Sequence, residues 1–219
     1  MGKTSTRAPL LSVYIFLYNV ALFGIHLLIF VKLISAFSKG EFHYDGHFQL
    51  FCVGTAAQLL DIVHGVLDIT TTGVVAGLLQ VLGRLLMLYV IEGNPNVQSQ
   101  ISTPVLLFAW VLIELFRYPY YALRAWNIDV FPLTWLRYSA WIPLYPLGLS
   151  MEWVTLVSSM KYYYESAKYY LQVPFVDVRL NFGVVVGMLA FVVMPLISKK
   201  LMGHMIKQRR NKLSTEKNK

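Results

Sequence analysis

The chain has 219 residues, of which 57% are hydrophobic and 14% charged, with a mean hydropathy of +0.56. Soluble globular domains carry roughly 45–50% apolar and about 25% charged residues, so these proportions exclude a water-soluble globule. The formal net charge of +8 is concentrated: Lys199 to Lys219 holds eight lysines and arginines against Glu216 alone, while the rest balances 11 basic with 10 acidic groups. A nucleic-acid reader needs a basic face within its fold, so no nucleic-acid partner is expected, and the tail points to membrane lipid instead. Cys52 is the single cysteine, which leaves no intrachain disulfide and no Cys-rich metal framework; no metal and no cofactor are expected.

A bilayer core about 30 Å thick needs roughly 20 helical residues. Leu10 to Phe37 is 28 residues long, beyond the roughly 7–15 of a signal-peptide core, and no small-residue cleavage pattern follows. It reads as a retained first span. Phe48 to Ile69 is the least apolar candidate, because Asp61, His64 and Asp68 lie within it. Gly73 to Ile91 follows the Thr70 to Gly73 turn, and Gly93-Asn94-Pro95-Asn96 then breaks the chain before Pro104 to Ala122. Tyr138 to Met160 and Leu180 to Ile197 complete the set. The expected fold is an all-α membrane protein, a bundle of six transmembrane helices forming one domain over residues 1–198, with a basic cytosolic tail over 199–219. A four-span count that omits Phe48 to Ile69 and a neighbour is the competing reading.

Six spans put both termini on one side, and the basic tail with Lys3 and Arg7 places that side in the cytosol. Arg124 and Arg137 flank a loop on the same side; the loop from Glu92 to Thr103 has no Lys or Arg and falls opposite. Lys161, Lys168 and Arg179 also fall opposite, against the rule. Tyr162, Tyr163, Tyr164, Tyr169 and Tyr170 are expected at the membrane interface. No internal repeat is visible, so an inverted-repeat transporter is not supported.

Asp61, His64, Asp68, Arg84, Glu114, Arg117 and Glu152 all fall inside the proposed spans. An ionised group at the bilayer centre costs on the order of 2.5–3.5 kcal/mol, so such groups face the bundle interior and pair. Asp61, His64 and Asp68 are spaced i, i+3, i+7, one stripe of a helix; Glu114 and Arg117 are i, i+3, close enough to pair. Arg84 reads equally as a counter-ion to Asp61 or Glu114 and as a ligand for an anionic substrate. His64 has no neighbouring Cys, no second His at i+4 and no HExxH pattern, so no metal role is assigned to it.

Tyr145 and Glu152 are seven residues apart, within roughly 20° of one helix face and about 10.5 Å apart along the axis. Pro143 and Pro146 remove backbone donors, and Gly148 permits a close approach to the helix. A small reacting centre fits between a phenol and a carboxylate so placed. A tyrosine at an interface and a lone glutamate in a wet cavity would account for the same pattern without catalysis.

Leu144-Tyr145-Pro146-Leu147-Gly148-Leu149-Ser150-Met151-Glu152 resembles the YPxGxxxE segment of the very-long-chain 3-hydroxyacyl-CoA dehydratases, a family also labelled protein tyrosine phosphatase-like. Ala109-Trp110 with Glu114, Arg117 and Tyr118 is similar to its AWxxxExxRYxxY region, with Tyr120 or Tyr121 as the last ring. Leu136-Arg137-Tyr138 resembles its WxRY element, and Gln80 with Arg84 its QxxSR element, Gly83 standing in the serine position. Gln208-Arg209-Arg210 resembles the family's basic ending, and the likeness runs from about residue 10 to residue 212. Asp61 stands where many members have Glu, and Asp68 where a small residue is common. A phosphatase activity is not expected, because Gln58 stands six residues after Cys52 where a phosphate-cradling arginine is required.

The resemblance implies dehydration of (3R)-3-hydroxyacyl-CoA to trans-2-enoyl-CoA, the third step of fatty-acid elongation, in a multi-pass protein of the endoplasmic reticulum membrane. It implies an elongase, a 3-ketoacyl-CoA reductase and an enoyl-CoA reductase as partners. It implies Tyr145 and Glu152 as the catalytic pair, with either order of acid and base open. Asp61, His64, Arg84, Glu114, Arg117, Arg137 and Gly148 then shape the pocket or position the substrate, and the CoA phosphates are expected near Arg124, Arg137 or the tail. A non-catalytic adaptor of the elongation machinery is the alternative, and a small transporter a third.

Overall fold

The computed structural model describes residues 9–70, 73–166, 168–172 and 179–217. Helix α1 (Pro9–Lys39) buries Ser12, Ile15, Asn19, Leu22, His26, Ile29 and Leu33. Those steps alternate three and four residues, which draws a single seam along a straight apolar helix. The seam packs on α6 (Ser102–Ala125). Gly40 ends α1 at φ +67°: the Gly40 amide donates to Phe37 O at 3.1 Å and the Glu41 amide to Ala36 O at 3.0 Å. This closing pair requires a left-handed residue that glycine supplies without a Cβ clash.

The second expected span, Phe48 to Ile69, is corrected. It begins at Asp45 and is divided at Gln58 into α2 (Asp45–Ala57) and α3 (Leu59–Val66). At the break the Gln58 amide reaches Thr55 O at 3.1 Å and the Asp61 amide reaches Gln58 O at 3.0 Å, a local 3₁₀ tightening. Helix α3 stops at Val66, and Asp68 sits beyond it at φ +53°.

Helix α4 (Val74–Glu92), the short α5 (Pro95–Gln98) and α6 follow. Asn94 caps α5 by accepting from the Asn96 amide at 3.1 Å, with Pro95 at the first helical position, where no donor is lost. Helix α6 is the hub: Leu106, Leu107, Val111, Glu114 and Tyr118 on it are fully buried, and it packs against α1 and α8.

The expected fifth span, Tyr138 to Met160, is also corrected, into α7 (Phe131–Ser139) followed by α8 (Trp141–Ser166). The sixth, Leu180 to Ile197, starts differently from the expectation. Tyr170–Gln172 (β1) pairs antiparallel with Arg179–Asn181 (β2), so Leu180 lies in a strand. Asn181 then caps α9 (Phe182–Met188) by accepting from the Gly183 amide at 2.8 Å. The helix runs through a π turn, Leu189–Val193, into α10 (Met194–Lys217), so the basic tail continues helically to Lys217. Pro195, which lacks an amide donor, sits just past the π turn.

Five segments among the described residues are long and apolar enough to cross a membrane: Pro9–Lys39, Asp45–Val66, Val74–Glu92, Ser102–Ala125 and Phe182–Asn211. The protein is an all-α membrane protein. Helix α8 has the length, 26 residues, but not the hydropathy, because its tyrosines, serines and Glu152 dilute it. One of its tyrosines also departs from the expectation for an interface, while Tyr164 is exposed. Tyr163 is fully buried, stacks edge-on with Phe182 at 4.9 Å, and donates to Val90 O at 2.7 Å. It thereby ties α8 to α4 and α9.

Glycines mark the tightest contacts in this part of the bundle. A Cβ at Gly93 would collide with the Tyr163 hydroxyl, and one at Gly183 would lie 2.5 Å from the Tyr164 backbone nitrogen. Gly183→Ala is expected to destabilise by about 1–3 kcal/mol, since backbone cannot yield as a flexible side chain does. Gly24→Ala, where a Cβ meets nothing within 4 Å, is expected to leave stability unchanged or slightly raised. Thermal unfolding of both variants in detergent checks the pair.

Candidate active site

The polar centre of the bundle is a chain of buried hydrogen bonds. His26 Nδ1 donates to Leu22 O at 2.8 Å, which leaves Nε2 to accept from Gln58 Nε2 at 3.2 Å. Gln58 Oε1 in turn accepts from Arg84 Nη1 at 3.4 Å. Arg84 Nη1 pairs with Glu114 Oε1 at 2.6 Å, and Gln80 Nε2 donates to the same oxygen at 3.3 Å. The second Glu114 oxygen faces Arg117 Nη1 at 3.5 Å, and Arg117 Nη2 meets Asp61 Oδ2 at 2.7 Å. Tyr118 donates to the same Asp61 oxygen at 3.4 Å.

Glu114 is wholly buried, and both arginine side chains are less than one-tenth exposed. Two carboxylates therefore neutralise two guanidiniums in a low-dielectric interior, where an uncompensated charge would be costly. Arg84 takes Glu114 as its counter-ion, and the i, i+3 pair of Glu114 with Arg117 is the longest of the three contacts.

Glu152 joins this centre through Trp110. The indole Nε1 donates to Glu152 Oε1 at 3.0 Å, and the Arg84 guanidinium lies over the same indole at 5.4 Å. Tyr145 sits beside Trp141, ring centroids 6.4 Å apart, and both Tyr145 and Glu152 lie within electrostatic range of Arg84. Gly148, between them on α8, is buried, and a Cβ there would approach Ala109 of α6 at 4.0 Å. Glu152 and Gly148 thus share the α8 face that meets Ala109 and Trp110, and the seven-residue spacing carries Tyr145 onto that face. Pro146 is the proline inside α8, Pro143 lying in its first turn. Ser150 Oγ uses the Pro146 carbonyl at 2.7 Å.

Asp61 and His64 are buried as the stripe reading requires. His64 Nε2 lies 2.9 Å from the Tyr14 hydroxyl, and Nδ1 has no partner among the described residues. Asp68 is excluded from the stripe, because α3 ends two residues before it and the left-handed turn leaves it exposed. Arg137 stacks on Tyr121 at 5.5 Å and Tyr138 at 5.6 Å, and its Nη2 donates to the Tyr121 hydroxyl at 3.1 Å. Its Nε is buried without a partner, and no carboxylate pairs with it among the described residues. Arg124 is instead engaged by Asp129 at 3.1 Å.

Sequence reasoning did not single out His26, nor Gln58 as a site residue, nor the hydrogen bond from Trp110. The signal for the first two was present: each is a polar side chain within an apolar span, which a bundle interior must satisfy.

The profile of the family described as "Protein tyrosine phosphatase-like protein, PTPLA" matches residues 55–215. A Gallus gallus protein named "Very-long-chain (3R)-3-hydroxyacyl-CoA dehydratase" is 36% identical over 74% of this chain and 46% of its own length. "Very-long-chain (3R)-3-hydroxyacyl-CoA dehydratase 3" of Mus musculus is 33% identical over 100% of this chain and 62% of its own. "Very-long-chain (3R)-3-hydroxyacyl-CoA dehydratase 2" of Homo sapiens is 32% identical over 96% of this chain and 85% of its own. The chain thus spans about half to three-fifths of the length of the chicken and mouse relatives. No solved structure matches. Matched across most of its length by the family profile, and by relatives that agree with one another, the chain belongs to the protein tyrosine phosphatase-like, PTPLA, family.

Proposed function

We propose that this protein dehydrates (3R)-3-hydroxyacyl-CoA to trans-2-enoyl-CoA, with Tyr145 and Glu152 as the catalytic pair. The observation that carries the reading is the Glu152 carboxylate held by Trp110 Nε1 at 3.0 Å, one α8 face shared with Tyr145, in a family whose relatives bear dehydratase names. The indole N–H fixes the orientation of the carboxylate, as a positioned general base requires. Glu152 takes the C2 proton, the freed electron pair forms the C2=C3 bond, and the C3–O bond breaks. Tyr145 gives its proton to the departing hydroxyl, which leaves as water. The proton on Glu152 then returns to the tyrosinate, and both groups are restored.

The remaining pocket residues act around that step. Arg84, Glu114, Arg117 and Asp61 form a rigid, internally neutral floor, and His64 fills its edge. Gly148 leaves room for the thioester beside α8. Arg137, which has only phenols for partners among the described residues, is the cation that meets a carbonyl or phosphate oxygen of the acyl-CoA.

Helix α8 serves as the sixth span. Its 26 residues reach about 39 Å, and its packing against α6 and α9 supports a position for Glu152 within the bundle. Both termini are then cytosolic, residues 1–198 form the membrane domain and 199–219 the basic tail. Trp126 and Trp135, both exposed, suit the interface on that side. An endoplasmic reticulum location, with an elongase, a 3-ketoacyl-CoA reductase and an enoyl-CoA reductase as neighbours in the cycle, follows from the same reading.

The purified full chain in detergent, given (3R)-3-hydroxyacyl-CoA of several acyl lengths, is expected to release the enoyl product. No turnover at any length would leave the adaptor reading in its place. Trp110→Phe keeps the ring and removes the donor to Glu152. It is expected to lower kcat by about 10–100-fold, the loss of roughly one charge-assisted hydrogen bond, with KM little changed. A KM effect alone would show that Trp110 only shapes the pocket.

A further inference from the structure

At the end of α1 opposite the chain's N-terminus, a cavity of about 230 Å³ opens to the surface, lined by Lys32, Ser35, Ala36, Lys39, Glu41, Gly46 and His47. This volume lies below the roughly 300–1,000 Å³ of sites for drug-sized molecules, so it suits a headgroup rather than an acyl chain. Lys32, Ser35, Ala36 and Lys39 recur at i, i+3, i+4 and i+7, one face of α1, with the two lysines about 10.5 Å apart along the axis.

The depth fits the same occupant. With 31 residues α1 is about 46 Å long, and its apolar run begins at Leu10. Helix of this length outruns a hydrocarbon core of about 30 Å, so the Lys32 to Lys39 turns reach the phosphate layer of the far leaflet.

The lining is mixed in a specific way. Neither lysine forms an ion pair among the described residues. Gly46 lies in the first turn of α2, where Asp45 already offsets the positive end of the helix, so the two lysines are the cations that face a phosphate. Opposite these donors stand acceptors. Glu41 is a carboxylate, and His47, 7% exposed, spends its Nδ1 proton on His43 O at 2.9 Å. Its Nε2 is thereby left with a lone pair that can accept. A pure anion would be repelled by Glu41 and would find no proton at His47. A choline headgroup has no N–H to give.

We propose that this cavity is a headgroup site for a membrane phospholipid bearing a primary ammonium, a phosphoethanolamine group. Lys32 and Lys39 hold the phosphate, and Glu41 and His47 accept from the ammonium. The site is separate from the dehydratase chamber and does not depend on it.

Native mass spectrometry of the delipidated full chain tests the assignment, with phosphatidylethanolamine, phosphatidylcholine and phosphatidylglycerol each added in turn. Phosphatidylethanolamine is expected to be retained about fivefold over phosphatidylcholine, the worth of roughly one solvent-exposed ion pair. Lys32→Gln with Lys39→Gln is expected to lower retention of both phosphatidylethanolamine and phosphatidylglycerol, and Glu41→Gln to narrow the preference for phosphatidylethanolamine over phosphatidylcholine. Equal retention of the ethanolamine and choline lipids by the wild-type chain would overturn the proposal, whether or not the variants fold. Unchanged retention in a folded lysine variant would overturn it too. Displacement of the lipid by equimolar, water-soluble glycerophosphoethanolamine would show a soluble ligand in place of a membrane one.

Discussion

Glu152→Gln is expected to remove dehydration almost entirely while leaving the protein folded, and Tyr145→Phe to do the same. Both substitutions keep shape and remove a proton-transferring group. A positioned acid or base contributes about 10²–10⁴-fold, and two groups acting on one elimination fail together rather than additively. The amide of Glu152→Gln can still accept from Trp110 Nε1, so the bond observed at 3.0 Å need not be lost and the bundle has no reason to loosen. The measurement is single-turnover release of enoyl product by detergent-purified protein, with a thermal unfolding curve beside it. Turnover at the wild-type rate in either folded variant would reject the assigned site. Loss of folding in both would instead make the pair structural.

The second large effect falls on stability. Glu114 is wholly buried between Arg84 at 2.6 Å and Arg117 at 3.5 Å, and it also accepts from Gln80. Glu114→Leu strands the Arg84 guanidinium with only the Gln58 amide oxygen at 3.4 Å for a polar partner among the described residues. Breaking a buried pair from one side costs about 3–5 kcal/mol, because the surviving charge keeps its desolvation penalty and loses its compensation. Removing both sides is milder. Arg84→Met combined with Glu114→Leu is expected to unfold at a higher temperature than Glu114→Leu alone, although it gives up the cation over Trp110. Arg117 retains Asp61 at 2.7 Å in either case. A single variant as stable as the wild type would mean that water or lipid headgroups already compensate Arg84.

Much of the membrane architecture was legible in the sequence because hydrocarbon imposes a simple rule. A backbone without water must bond to itself, so runs of about 20 apolar residues become helices. The first span was expected at Leu10 to Phe37 and runs Pro9–Lys39. The fourth was expected at Pro104 to Ala122 and runs Ser102–Ala125. The rule weakens where polar residues enter. The span expected at Phe48 to Ile69 is divided at Gln58, a residue whose amide is drawn into the His26 and Arg84 network. Asp68 matched the helical stripe by number alone and lost its place when α3 ended at Val66. Tyr163 had the composition of an interface residue, yet Val90 O and Phe182 hold it inside.

By itself the sequence determined that the chain enters a membrane, which segments turn helical, and that the ionisable groups along them must seek one another. It also placed Tyr145 and Glu152 on one helical face, since that follows from 3.6 residues per turn. Tertiary structure alone decided the partners: Arg84 with Glu114, Arg117 with Asp61, Trp110 with Glu152, and Arg137 with the Tyr121 phenol. The physical reason is range. Helical periodicity and hydropathy are local properties, whereas a choice among counter-ions 30 or 56 residues apart depends on how the helices cross and rotate when they pack.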